Sequence, residues 1–81
     1  MSITVRLFAG LKCENKELAC YEENVFKIEL MEELNLQELL TLLGISTDLA
    51  KIVFINGLLQ PLTYTLTYGD EVSVFPPVGG G

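Results

Sequence analysis

The residues with the most chemistry to offer stand at the end of the chain and in one polar stretch near its start. Gly79, Gly80 and Gly81 close the 81-residue sequence, Cys13 and Cys20 are its only thiols, and histidine is absent. The α-carboxylate of Gly81 titrates at about 3.3–3.7, so at neutral pH it is an anion and a poor electrophile. It needs activation before anything can attack it. Condensation with ATP to an acyl-adenylate replaces the oxyanion with a good leaving group, which a partner's persulfide or thiolate can then displace. Glycine suits such a tail because a narrow catalytic channel must close on both sides of the backbone, and a residue without Cβ permits that approach. Three glycines beyond Val78 reach at most about 10 Å. Just upstream, Pro76 and Pro77 restrict the chain and project its tip away from whatever precedes them. Taken alone, a glycine-rich end also suits a frayed terminus or a plain linker.

The remaining inventory narrows the options. A chain of this length makes one domain that buries about 60–65 per cent of its unfolded surface, which leaves little room for a deep enzymatic cleft. Function is expected at the surface or at a terminus, and residues 76–81 divide as a flexible tail from a folded unit of residues 1–75. Hydrophobic residues make up 49 per cent of the chain and charged residues 20 per cent, a globular composition. Eleven acidic against five basic residues give a net charge of −6, which disfavours nucleic acid and anionic membrane surfaces. No apolar run approaches the roughly 20 residues of a membrane span. The start carries no basic region followed by an apolar stretch, so the expected compartment is the cytoplasm. Two cysteines without histidine cannot complete a tetrahedral zinc site or a four-thiolate cluster, so no metal is expected. A disulfide across the six residues between them is geometrically feasible, but two ordinary thiols are the cytosolic default.

The elements that must position the tail are written in the periodicity. Ile3, Val5 and Leu7 alternate with Thr4, Arg6 and Phe8 as in a half-buried strand. Residues 11–24 read as a long connection with a helical turn around residues 17–20. Phe26, Ile28 and Leu30 alternate with Lys27 and Glu29, a second strand pairing antiparallel with the first. Asn35 and Glu38 have capping-box spacing, Leu34 and Leu39 that of a hydrophobic staple, and Leu36, Leu39, Leu40 and Leu43 make one apolar face. A helix over residues 36–43 follows, ended by Gly44 in a Schellman turn with Ile45 against Leu40. Residues 52–55 read as an interior strand before the turn Asn56-Gly57, Leu58 and Leu59 as a short edge, and residues 71–75 as a last strand burying Val72 and Val74. Residues 63–67 are rich in β-formers but too short to assign. This order describes an α+β domain in which a sheet grasps one helix against a single face.

The chain resembles the small-subunit family of molybdopterin synthase, ubiquitin-like β-grasp sulfur carriers. The match is carried by Val5-Arg6-Leu7-Phe8-Ala9-Gly10-Leu11, the helix, Ile55-Asn56-Gly57, Gly69-Asp70-Glu71-Val72 and above all Phe75-Pro76-Pro77-Val78 followed by Gly80-Gly81. It spans nearly the whole chain; only residues 12–24 lack recognisable pattern. The resemblance implies a β-grasp fold with a mixed sheet on one main helix. It also implies that Gly81 is adenylated by an adenylyltransferase related to ubiquitin-activating enzymes and converted to a thiocarboxylate, with a sulfurtransferase supplying the sulfur. The tail, Pro76, Pro77, Val78, Gly79 and Gly80, would insert into the large catalytic subunit of molybdopterin synthase, in a heterotetramer, and give its sulfur to the cyclic pyranopterin precursor. Such a chain is not catalytic alone and binds no cofactor; ATP belongs to the activating partner. Gly79 departs from the family, which usually has alanine or serine there, and costs up to roughly 1 kcal/mol of ordering entropy on insertion.

Phe75 and Phe8, on the outer side of the last strand and near it, form a candidate docking surface for both partners, although an apolar residue beside a strand equally suits the core. Three other functions stay open. One is sulfur carriage for another pathway, such as thiamine, tungsten cofactor, cysteine or tRNA thiolation, which shares the fold and the Gly-Gly end; Phe75-Pro76-Pro77-Val78 favours the pterin pathway over the thiamine type. A second is a ubiquitin-like modifier joined through Gly81 to a lysine of another protein. The third is a structural interaction domain.

Overall fold

The computed structural model describes residues 1–48, 50 and 52–77. Five strands and one helix run in the order β1 (Ser2–Leu7), β2 (Val25–Glu29), α1 (Leu36–Leu42), β3 (Ile52–Ile55), β4 (Leu58–Leu59) and β5 (Glu71–Phe75). In the sheet their spatial order is β2-β1-β5-β3-β4. The last strand therefore lies at the centre. It runs parallel to β1, with Val5 opposite Val72 and Leu7 opposite Val74, and antiparallel to β3, with Val53 opposite Val74. The β1–β2 pair is the antiparallel hairpin expected from the alternation, with Val5 opposite Phe26.

Strand period two sorts the side chains. Ile3, Val5, Leu7, Val53, Ile55, Val72 and Val74 point to one face and are buried there with Leu36, Leu39, Leu40 and Leu43 of the helix and its cap. All four leucines of the predicted stripe are fully enclosed. Helix α1 begins at the predicted capping box: Asn35 Oδ1 accepts from the Glu38 N–H at 2.8 Å, and Glu38 Oε1 accepts from the Asn35 N–H at 2.9 Å. It ends as predicted, with the Ile45 N–H donating to the Leu40 carbonyl, the Gly44 N–H donating to the Thr41 carbonyl, and Gly44 at φ 76°.

One reading of the connections changes, and one unassigned stretch takes its form. The helical turn expected around residues 17–20 is a chain of separate turns, in which the Leu18, Tyr21 and Glu23 N–H groups donate to the Asn15, Leu18 and Cys20 carbonyls. The backbone instead doubles back, with the Glu22 N–H returning to the Cys13 carbonyl and Glu22 left-handed at φ 69°, a path no continuing helix takes. Around residues 63–67 the structure has a single bridge, Thr65 with Asn35, rather than a strand. Among the described residues no helix is long and apolar enough to cross a membrane.

Candidate functional site

The site is the end of the sheet from which the tail departs. Because β1 and β5 are parallel, their C-terminal ends lie together. The Phe8 N–H donates to the Val74 carbonyl at 3.0 Å, extending the contact one residue beyond β1. Phe8 and Phe75 fall on the outer phase of their strands, away from the helix, and their rings stack with centroids 4.4 Å apart and 6° between planes. Phe54, outward on β3, meets Phe75 edge-on at 5.8 Å and 84°. The two predicted docking residues are thus brought together, and Phe75 sits at the centre of a three-ring cluster.

Phe54 was missed by sequence reasoning. Residues 52–55 are apolar at every position, so their composition carried no phase; the register of β3 on β5, Ile52 opposite Phe75 and Phe54 opposite Ser73, turns Ile52 and Phe54 outward. The signal available was the aromatic at one parity of a run whose other parity, Val53 and Ile55, is β-branched. Leu59, paired with Phe54 at the sheet edge, is 64 per cent exposed and continues the apolar strip. Arg6 and Ser73, opposite each other between these groups, supply its polar centre.

The strand that carries Phe75 is held at its other end by a buried carboxylate. Asp70 is 4 per cent exposed and accepts from Asn56 Nδ2 at 2.9 Å, the Thr67 N–H at 2.9 Å, Thr67 Oγ1 at 3.1 Å and the Tyr64 hydroxyl at 3.1 Å. Burial opposes the charge, but the donors of Thr67, Asn56 and Tyr64 prevail and hold the carboxyl below its ordinary range. The same carboxylate, after burial itself, pushes the Tyr64 phenol up. Asn56 stands at φ 53° and Gly57 at φ 86°, the two left-handed residues of a tight hairpin turn between β3 and β4. Its Oδ1 accepts from the Glu71 N–H at 2.9 Å. These bonds join the Asn56-Gly57 turn to the Gly69-Asp70 turn, so that β5 starts in a fixed register. The carboxylate is structural: every neighbour is a donor from the folded chain.

Pro76 is half-buried and Pro77 exposed, directly after Phe75, where the missing N–H of each ends the ladder. Val78, Gly79, Gly80 and Gly81 lie outside the described residues, so the expectations placed on them are taken up below as chemistry. Among the described residues no group of His, Cys, Asp and Glu side chains is arranged to hold a metal ion.

Comparison with known proteins agrees with this architecture. The crystal structure of SAMP1 from Haloferax volcanii superposes with a TM-score of 0.63 at 23% sequence identity, covering 100% of both chains. That likeness establishes the ubiquitin-like β-grasp fold. No curated protein sequence matches the chain. The model of the ThiS family matches residues 5–81, nearly the whole length and including the glycine end. This chain belongs to the ThiS family of ubiquitin-like sulfur carriers.

Proposed function

We propose that this chain is the sulfur-donating subunit of a molybdopterin synthase. The observation that carries the reading is the junction at Phe75: the ending Phe75-Pro76-Pro77-Val78 with Gly80-Gly81 leaves the central strand of a ThiS-family domain beside an exposed aromatic cluster. The cluster supplies a docking surface, and the tail supplies the reagent.

Aromatic side chains concentrate binding energy where they can be desolvated against a partner, and Phe8, 39 per cent exposed, is positioned for that. An adenylyltransferase related to ubiquitin-activating enzymes holds the domain by this face while the Gly81 carboxylate attacks the α-phosphate of ATP and releases pyrophosphate. Sulfur from a sulfurtransferase persulfide then displaces AMP, and reductive cleavage of the acyl disulfide by a second thiol leaves the thiocarboxylate. In the large synthase subunit Pro76, Pro77, Val78, Gly79 and Gly80 occupy the channel, the thiocarboxylate sulfur attacks the cyclic pyranopterin precursor to give a thioester, and water hydrolyses that thioester, leaving the sulfur on the precursor and regenerating the Gly81 carboxylate. General acid and base groups come from the partner. The domain's own buried titratable carboxylate, Asp70, is fully engaged in holding the fold.

Intact-mass spectrometry after incubation with ATP, a sulfur donor and the activating enzyme tests the chemistry. The expected product is heavier by the replacement of one oxygen with sulfur, and it is lost when Gly80 and Gly81 are deleted. An unchanged mass with a demonstrably active enzyme overturns the reading. High-molecular-weight conjugates that require Gly81 would show a protein modifier instead. Conversion of the pterin precursor to a dithiolene by the large subunit separates this pathway from other sulfur-carrier routes.

A further inference from the structure

Cys13 and Cys20 take no part in the tail chemistry, yet the fold brings them together. They lie in the 11–24 connection, Cys13 fully buried and Cys20 7 per cent exposed, both as free thiols, with their Sγ atoms 3.0 Å apart. The backbone is doubled back to do this. The Cys13 N–H donates to the Glu23 carbonyl at 3.0 Å, the Glu22 N–H returns to the Cys13 carbonyl at 2.8 Å, and Glu22 takes the left-handed φ of 69° that the reversal requires. The next two residues anchor the segment to the helix: the Glu14 N–H donates to the Leu43 carbonyl at 2.8 Å and Asn15 Nδ2 to the Leu42 carbonyl at 2.7 Å.

We propose that Cys13 and Cys20 form a redox-active dithiol site whose oxidation closes an intramolecular disulfide and locks the doubled-back 11–24 connection onto itself. The oxidant is a low-molecular-weight disulfide. Cys20, the more accessible thiol, reacts first as its thiolate: it attacks one sulfur of the reagent, the reagent's S–S bond breaks and one reagent thiolate leaves. The Cys13 thiolate then attacks Cys20 Sγ in the mixed disulfide and expels the second reagent thiolate. The protein loses two protons and two electrons, and the reagent gains them as two thiols. The approach needed to reach a bonded sulfur pair, about 2.05 Å, is a side-chain movement of about 1 Å. Burial, followed by the hydrogen bond and charge of Cys13, pushes the Cys20 thiol up to about 12. Thiolate is therefore scarce in the closed loop, and exchange proceeds through openings of the connection. The site is independent of the tail: it requires neither Gly81 nor a partner enzyme.

The test is exposure of the reduced chain to glutathione disulfide at mildly alkaline pH, followed by alkylation and intact-mass measurement. The expected product is lighter than the reduced chain by two hydrogens, resists alkylation and reverts with dithiothreitol. Trypsin cuts after Lys12, Lys16 and Lys27, so under non-reducing conditions the fragment 13–16 should stay joined to the fragment 17–27. Closing a loop of this size should raise the melting temperature by about 10–20 °C over the reduced form. Cys13→Ala and Cys20→Ala should each abolish the lighter product and the oxidant-induced rise. Wild-type protein that yields only glutathione adducts or intermolecular dimers, or an oxidised monomer that melts no higher than the reduced one, overturns the proposal. Both readouts are made on the unaltered chain, so it stays testable if either variant fails to fold.

Discussion

Phe8 and Phe75 stack face to face at 4.4 Å, so the residue after the first strand lies on the residue before Pro76. Contacts of this kind between aromatic rings add about 0.5–1.5 kcal/mol beyond area burial. The stack ties the root of the tail to the parallel β1–β5 pair and leaves the outer surface of Phe8 open.

Phe75→Ala removes both the stack and the edge contact with Phe54, and since Phe75 is only partly buried the expected loss of stability is about 1–3 kcal/mol. Phe8→Ala should cost less. A double-mutant cycle by urea denaturation should return a coupling of about 0.5–1.5 kcal/mol, while Phe8→Ala should weaken the complex with the activating enzyme by about tenfold or more, read by titration calorimetry. Unchanged affinity would remove Phe8 from the docking face.

Asp70 makes stability depend on acid in a defined direction. Its folded carboxyl titrates below the unfolded one, so its stabilising contribution is complete above an unfolded value of about 3.9 and fades as pH falls through the lower folded value. Asp70→Asn leaves buried donors facing an amide and should cost about 1–3 kcal/mol at neutral pH. Unfolding midpoints measured across the acid range should lose part of their slope in the variant; parallel curves would contradict the assignment.

Gly44 should be the least replaceable of the described left-handed glycines. Its φ is 76°, and an added Cβ would meet Glu14 C and Cβ at 3.2 Å and Asn15 N at 3.3 Å. Gly69, at φ 82°, has open space where its Cβ would be. Gly69→Ala should cost about 1–2 kcal/mol for backbone conformation alone, and Gly44→Ala more, because the 11–24 connection must also shift. Equal melting temperatures for the two variants would argue against that crowding.

Asn35→Ala removes the side-chain oxygen that accepts from the Glu38 N–H, while the backbone N–H of residue 35 keeps its bond to Glu38 Oε1, and should destabilise the domain by about 1 kcal/mol. Chemical denaturation followed by circular dichroism measures it; Asn35→Asp, which keeps the acceptor, should recover most of the loss.

Much of this molecule was legible without coordinates. The capping box, the leucine stripe and the Gly44 stop are local grammar, and each places its own hydrogen bonds within a few residues, so α1 appears where its signals stand. The alternation in residues 3–7 and 26–30 likewise chose the buried face of the first hairpin, because that face is set by parity and not by partners. Residues 52–55 carried no such parity, and Phe54 was accordingly invisible as part of the apolar strip. Asp70 was noticed only within a weak Gly-Asp-Glu pattern; its four bonds come from Asn56, Tyr64 and Thr67, up to 14 residues away, and no local signal reports such a convergence.

The sequence by itself determined the helix and the first hairpin, since these depend on residue type and short spacing. The tertiary structure alone decided that β5 enters between β1 and β3, because pairing partners are chosen by long-range burial of Val72 and Val74 against the helix face. That insertion stacks Phe75 on Phe8 and sets the place from which residues 76–81 depart. It was likewise the folding of the 11–24 connection, with Glu22 left-handed and Glu14 bound to Leu43, that set Cys13 against Cys20; two cysteines seven positions apart carry no such information in their spacing.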